Sequence, residues 1–321
     1  MRQAGRYMAE YRAIRARHSF LELCKNSEAA AEVTLQPVDT LGVDAAILFA
    51  DILLIVEPLG VGLEFGVGEG PSIQRPVRGD ADVARLARPD VDSALGFVFD
   101  TVSRVKKALN GRVPLVGFAG APFTVASYMV EGGASRDYLH VKRLMYGAPA
   151  AWQRLMEILV DATARYLNGQ IAAGAEAVQL FDSWIGVLGP ADYRTFVLPH
   201  MKALFAKLTP GVPAIHFGTG TAALLPLLRE AGGDVIGLDW RVDLDAGWGA
   251  VGHDVAVQGN LDPAVLLAAP PYIRKRAQAV LDAAGGRPGH IFNLGHGIHK
   301  DTPLEHVKAL VEIVHELSDR R

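Results

Sequence analysis

Short apolar runs begin near residues 45, 113, 177, 214, 235, 255 and 290, and longer segments with helical periodicity lie between them. Val91, Leu95, Val98, Val102, Val105 and Leu109 recur at steps of three and four, which describes one face of a long amphipathic helix. Pro149 to Ala173 reads as another, burying Leu155, Ile158, Leu159, Ala162 and Tyr166 and stopped by Gly174. Strand-then-helix repetition calls for a parallel sheet with helices outside it. Seven strands are legible, and a closed (β/α)8 TIM barrel needs one more. The one place left for it is ahead of Arg2. The expectation is therefore a single α/β barrel domain over residues 1–321 whose first strand is truncated at the N-terminus. An open doubly wound sheet is the alternative, and it would carry a Gly-rich fingerprint after its first strand that is absent here.

Local punctuation adds detail. Ser27 reads as the cap of a helix carrying Ala30, Val33, Pro37 and Leu41, kinked at the proline and ended by Gly42. Asp44 to Asp51 reads as a strand buried on both faces, with Asp51 at its C-terminal end. Glycines 60, 62, 66, 68 and 70 mark a loop or hairpin excursion. No helix follows it directly, so its resemblance to a nucleotide-binding loop is superficial. Phe196 to Leu204 is expected to be a helix kinked at Pro199.

Composition narrows the partners. Lys and Arg number 32 against 35 Asp and Glu, a formal net charge of -3, so no global basic field favours nucleic acid or a membrane surface. The most apolar run, Ala45 to Val56, is interrupted by Asp51 and is far shorter than the ~20 residues that span a bilayer. With Cys24 as the lone cysteine there is no internal disulfide or Cys-pair metal site, and no secretory signal opens the chain. A soluble protein of the reducing cytoplasm is expected.

Any anion site must then be local, and the opening stretch MRQAGRYMAEYR supplies the candidate. Arg2, Arg6 and Arg12 stand close together beside Gln3 and Tyr7, with Glu10 the one acid among them. Guanidinium groups stay charged and bind planar anions through paired hydrogen bonds. A basic solvated arm would look the same, and what separates the two is whether the rest of the chain builds a facing site. In a barrel the catalytic groups come from the C-terminal ends of the strands. Asp51, Tyr128, Asp182, Ser183, His216, Asp239, Asn260 and His296 all fall at or just after such ends, so they are expected to face one mouth with Arg2, Gln3 and Arg6.

At these residues a family likeness emerges. MRQAGRY, the strand ending in Asp51, GAPFTVASYMVEGG, QLFDSWIGVLGP, HFGTGT, GNLDP and FNLGHGI, in this order, resemble uroporphyrinogen decarboxylase over essentially the whole chain. The resemblance implies decarboxylation of the four acetate side chains of uroporphyrinogen to methyl groups, giving coproporphyrinogen in haem biosynthesis without metal or organic cofactor. It also implies a homodimer. Residue by residue, it makes Asp51 the carboxylate that accepts pyrrole N–H groups and stabilises the protonated ring. Arg2 and Arg6 become the catalytic arginines that bind the acetate and propionate carboxylates. Gln3, Ala4 and Gly5 lie between them, the last two small enough to let the backbone approach the substrate. Tyr128, Ser183 and His296 match the family's further substrate-binding groups. Asp182 stands where family members vary between Asp and Glu and is left without a role, and His216 and His299 are read as structural or peripheral. The proton donor to the ring stays open, since an arginine is a poor acid.

Two other readings compete. A zinc-dependent methyltransferase of the same superfamily needs a His-x-Cys pair, and the triplet His216-Phe217-Gly218 has glycine in the cysteine's place. A non-catalytic porphyrin-binding protein would not require Asp51, Tyr128 and His296 together.

Overall fold

The structure is a computed structural model that describes residues 2–66, 70–88 and 90–318. Met1 and Gly68 lie outside them. Among the described residues nine strands follow in chain order: β1 (Ala46–Ile47), β2 (Leu63–Phe65), β3 (Pro71–Ile73), β4 (Leu115–Gly120), β5 (Ala177–Asp182), β6 (Ala214–Gly218), β7 (Val235–Gly237), β8 (Ala256–Leu261) and β9 (His290–Leu294). All seven runs anticipated from hydropathy are strands of one parallel sheet, ordered β1-β4-β5-β6-β7-β8-β9. Each strand in that series pairs with the next one along the chain, so the winding never reverses. β2 and β3 form the separate antiparallel hairpin read from the glycine-rich excursion.

The sheet curls into a barrel. β5 and β8 are separated by two strands, yet the buried side chains of Gln179 and Gln258 meet at 3.3 Å across its interior. Between the edges β1 and β9 lies the N-terminal segment. The Gln3 carboxamide donates to Ala45 O at 2.7 Å and accepts from Ile47 N at 2.9 Å, while Arg2 packs beside Gly297, just past β9. A side chain thus supplies the two hydrogen bonds that a neighbouring strand's backbone would give to β1.

Helices wrap the outside. β4 is buried along its whole length, as a strand covered on both faces must be. The helix Pro149–Ala173 has the bounds its periodicity predicts, with Pro149 in its first turn and Gly174 at its end. It presents Trp152, Leu155, Leu159, Tyr166 and Leu167 to the main core, each large side chain contributing ~1.5–3 kcal/mol through burial.

Four local expectations are corrected. The cap of the helix Ser27–Leu41 is Asn26, whose side chain accepts from Ala29 N, and Ser27 is its first helical residue. The Asp44–Asp51 run pairs as a strand at only two residues. After Leu48 N bonds Val116 O, the Phe49 amide turns instead to the Thr34 hydroxyl at 2.9 Å. The Val91–Leu109 face is continuous and buried, but the helix breaks at Leu95 ahead of Gly96, giving Val91–Ala94 and Gly96–Leu109. Around Pro199 there are two helices, Pro190–Phe196 and Leu198–Phe205, divided at Val197.

Candidate active site

The C-terminal ends of the strands open on a cavity of about 910 Å3. Arg2, Gln3, Ala4, Gly5, Arg6, Asp51, Tyr128, Ser183 and His296 all line it. These nine residues come from five separate parts of the chain. Asp51 follows β1, Tyr128 rides on the helix Pro122–Glu131 after β4, Ser183 directly follows β5, and His296 lies two residues past β9.

The wall has a marked division of character. Phe118, Phe181 and Phe217, on neighbouring strands, stand edge to face at 5.5 and 5.8 Å between centroids and form an apolar floor. Phe20 meets both Phe49 and Phe65, extending an aromatic side wall out to the β2–β3 hairpin. Over this surface are set Arg2, Arg6, Arg15, Arg17 and His18, and Asp51 is the sole carboxylate among the described lining residues. A cavity with an aromatic floor, a cationic rim and one acid fits a large apolar ring system that carries several carboxylates.

Asp51 is tied into the backbone by its Oδ1, which accepts from Leu53 N at 2.9 Å. Burial pushes its carboxyl above the usual aspartate range, and the Leu53 amide and the Arg2 charge pull it part of the way back. Tyr128 packs edge to face on Trp184 at 5.8 Å. Loss of water raises its phenol, and the Asp51 charge adds to that while Arg2 opposes it, so all three groups share one field. His296 opens on the cavity but is ringed by protein that thins its hydration. That loss, with Arg2 and Arg241 nearby, lowers its pKa, so near neutral pH its ring is an uncharged hydrogen-bonding group. Trp240 stands against it at 5.8 Å and carries Arg241 over its ring at 3.8 Å.

The opening arginines divide by task. Arg2 and Arg6 line the cavity, whereas Arg12 donates to Arg6 O at 2.8 Å and so braces the segment. The Tyr7 hydroxyl bonds Gln3 O at 2.5 Å from the buried side. Gln3 borders the cavity, but its carboxamide is committed to β1, which leaves backbone as its main offering to a ligand.

Strand-end position alone overcounted the site. Asp182, His216, Asp239 and Asn260 are buried and absent from the lining. The reason is alternation: Phe217 faces the cavity, so His216 beside it points outward, against Phe205 at 5.2 Å. Asp239 is consumed by Gly220 N and Arg241, and Asn260 by the carbonyls of Asp239 and Val242. Conversely, Arg15, Arg17, His18 and the hairpin residues Phe65 and Pro71 line the cavity without having been singled out. The excess of arginine over acid continuing past Arg12 was the available signal for the first three. The glycines marked the hairpin, but nothing local placed Phe65 and Pro71 on the cavity wall.

Comparison with known proteins agrees with this geometry. Over 319 residues the chain is 56% identical to a uroporphyrinogen decarboxylase of Carboxydothermus hydrogenoformans, spanning 99% of this chain and 91% of the relative. It is also 56% identical over 318 residues to one of Sorangium cellulosum, with the same coverage. Among solved structures, a methyltransferase from Methanosarcina mazei superposes with a TM-score of 0.79 at 22% identity, covering 92% of this chain and 87% of that one, which establishes the shared barrel fold and nothing about chemistry. The family model described as uroporphyrinogen decarboxylase (URO-D) matches residues 1–317, and with these relatives it shows that the chain belongs to the uroporphyrinogen decarboxylase family.

Proposed function

We propose that this protein decarboxylates uroporphyrinogen, removing CO2 from its acetate side chains to leave methyl groups. The observation that carries the reading is the cavity itself: an aromatic floor under a rim of arginines, with Asp51 its one described carboxylate, in a chain this similar to named uroporphyrinogen decarboxylases.

Breaking the bond between an acetate's methylene and its carboxylate leaves an electron pair that needs a sink. Protonating the adjacent pyrrole makes one, because the pair can then flow into the cationic ring as CO2 departs. A proton added at the former acetate carbon and one lost from the ring complete the methyl group. Asp51 acts on the charged state: it accepts pyrrole N–H groups and stabilises the ring cation. A preorganised charge in a cavity poor in water acts selectively on that state, by analogy with the ~3–4 kcal/mol of an oxyanion-hole donor. Arg2 and Arg6 hold the peripheral carboxylates. The backbone of Gln3, Ala4 and Gly5 passes close to the ring, and Tyr128, Ser183 and neutral His296 donate hydrogen bonds to the remaining carboxylates.

No helix among the described residues is long and apolar enough to cross a membrane. A cytoplasmic homodimer, each chain one barrel domain, accompanies this reading on the strength of the family resemblance. The test is incubation with uroporphyrinogen kept reduced. Chromatography should resolve products with seven, six, five and finally four carboxyl groups. A folded protein that gives no product above a blank refutes the assignment.

A further inference from the structure

Asp182 was left without a role and does not reach the cavity, yet it is the most unusual side chain near it. It is fully buried at the end of β5, and its Oδ2 has no hydrogen-bond partner among the described residues. Its Oδ1 accepts from the Thr124 hydroxyl at 2.7 Å. Thr124 is equally buried, in the first turn of the helix Pro122–Glu131. The same hydroxyl oxygen accepts from Trp184 N at 3.1 Å. One atom of the helix therefore holds the residue before Ser183 by its side chain and the residue after it by its backbone.

The other ends of this clasp also lead to the site. Tyr128 lies four residues after Thr124, one turn further along the same helix face. Its ring rests on Trp184, the residue whose amide Thr124 holds. The Ser183 carbonyl is gripped from the far side by the Thr219 hydroxyl. We propose that the Thr124 hydroxyl, clasped to Asp182 and to the Trp184 amide, is a positioning group that sets the spacing between Tyr128 and Ser183 and thereby the fit of the substrate's carboxylates. Neither Thr124 nor Asp182 touches the substrate. The pair acts by joining two elements whose side chains do.

This rests on Tyr128 and Ser183 being substrate-binding groups, and steady-state kinetics with reduced uroporphyrinogen separates the two claims. Thr124→Val keeps the side chain's size but takes the hydroxyl away from the Asp182 carboxyl and the Trp184 N–H. It should raise KM about tenfold with kcat little changed, the scale of one unmet buried hydrogen bond. Thr124→Ser retains the hydroxyl and should restore a near-native KM. Should the valine variant not fold, Thr124→Ala leaves room for a water to enter and takes its place. Combined with Tyr128→Phe, the valine change should add little to the KM of Tyr128→Phe alone, because both act through one contact. A native KM in Thr124→Val, equal losses in the valine and serine variants, or KM effects that multiply in the double variant would each overturn the clasp while leaving the site reading intact. A native KM in Tyr128→Phe overturns that residue's part in the site, and this proposal with it.

Discussion

Replacing Asp182 with Asn removes one proton equilibrium from the interior while keeping the side chain's shape. The carboxyl is fully buried, and burial pushes its pKa from 3.8 up to about 7, with the hydroxyl and amide of Thr124 pulling it down against that trend. In the unfolded chain it titrates at ~3.9. The folded pKa is the higher one, so the folded state binds the proton more tightly. The associated stability is fully present below pH ~4 and is lost as pH rises to ~7, at about 1.4 kcal/mol per unit. Across those roughly three units the loss amounts to ~4 kcal/mol, an upper figure because the interior relaxes around a charge. Asparagine carries no such equilibrium. Of the groups facing Asp182, Thr124 does not titrate, and Tyr193 is held neutral by burial well above this range. His216, depressed to about 4 by burial, has the opposite sign, since its contribution is lost as pH falls, but it is common to both proteins and cancels in their difference. Urea unfolding of both proteins at intervals from pH 4.5 to 8 should show Asp182→Asn gaining on the native protein by several kcal/mol as pH rises. Parallel stability profiles would refute the reasoning, because they would mean that the carboxyl is ionised or hydrated despite its burial.

Three further outcomes follow from the same structure. Asp51→Asn should fold normally and lose most turnover. In the native enzyme the acid limb of kcat/KM should lie above the usual aspartate range, with rate falling as pH drops through the raised Asp51 pKa; a limb at or below ~4 contradicts that origin. Gln3→Ala removes both hydrogen bonds to β1 and should cost ~1–3 kcal/mol in thermal or urea unfolding, together with weaker substrate binding as Arg2 and Arg6 lose their anchor. Unchanged stability would show that the segment between β1 and β9 is held by other contacts.

Periodicity and punctuation along the chain were enough for the parallel sheet, for the Pro149–Ala173 helix and for the ordered series of strand ends from which the cavity is built. These are properties of neighbouring residues: an apolar face repeats every three or four positions, and a glycine stops a helix wherever the helix lies. The family motifs, read in order, single out Arg2, Arg6, Asp51, Tyr128, Ser183 and His296, and all six line one cavity. What only the tertiary structure decided depends on partners distant in the chain. Which group the Asp182 carboxyl bonds, once alternation has turned it from the mouth, is decided by Thr124, 58 residues earlier. The Gln3 side chain serves β1 because Ala45 and Ile47 present unpaired backbone groups there. Arg12 braces a carbonyl where Arg2 and Arg6 face open space, though the three look alike in sequence. Hydrogen-bond allegiance is settled by packing between elements, and no local pattern encodes it.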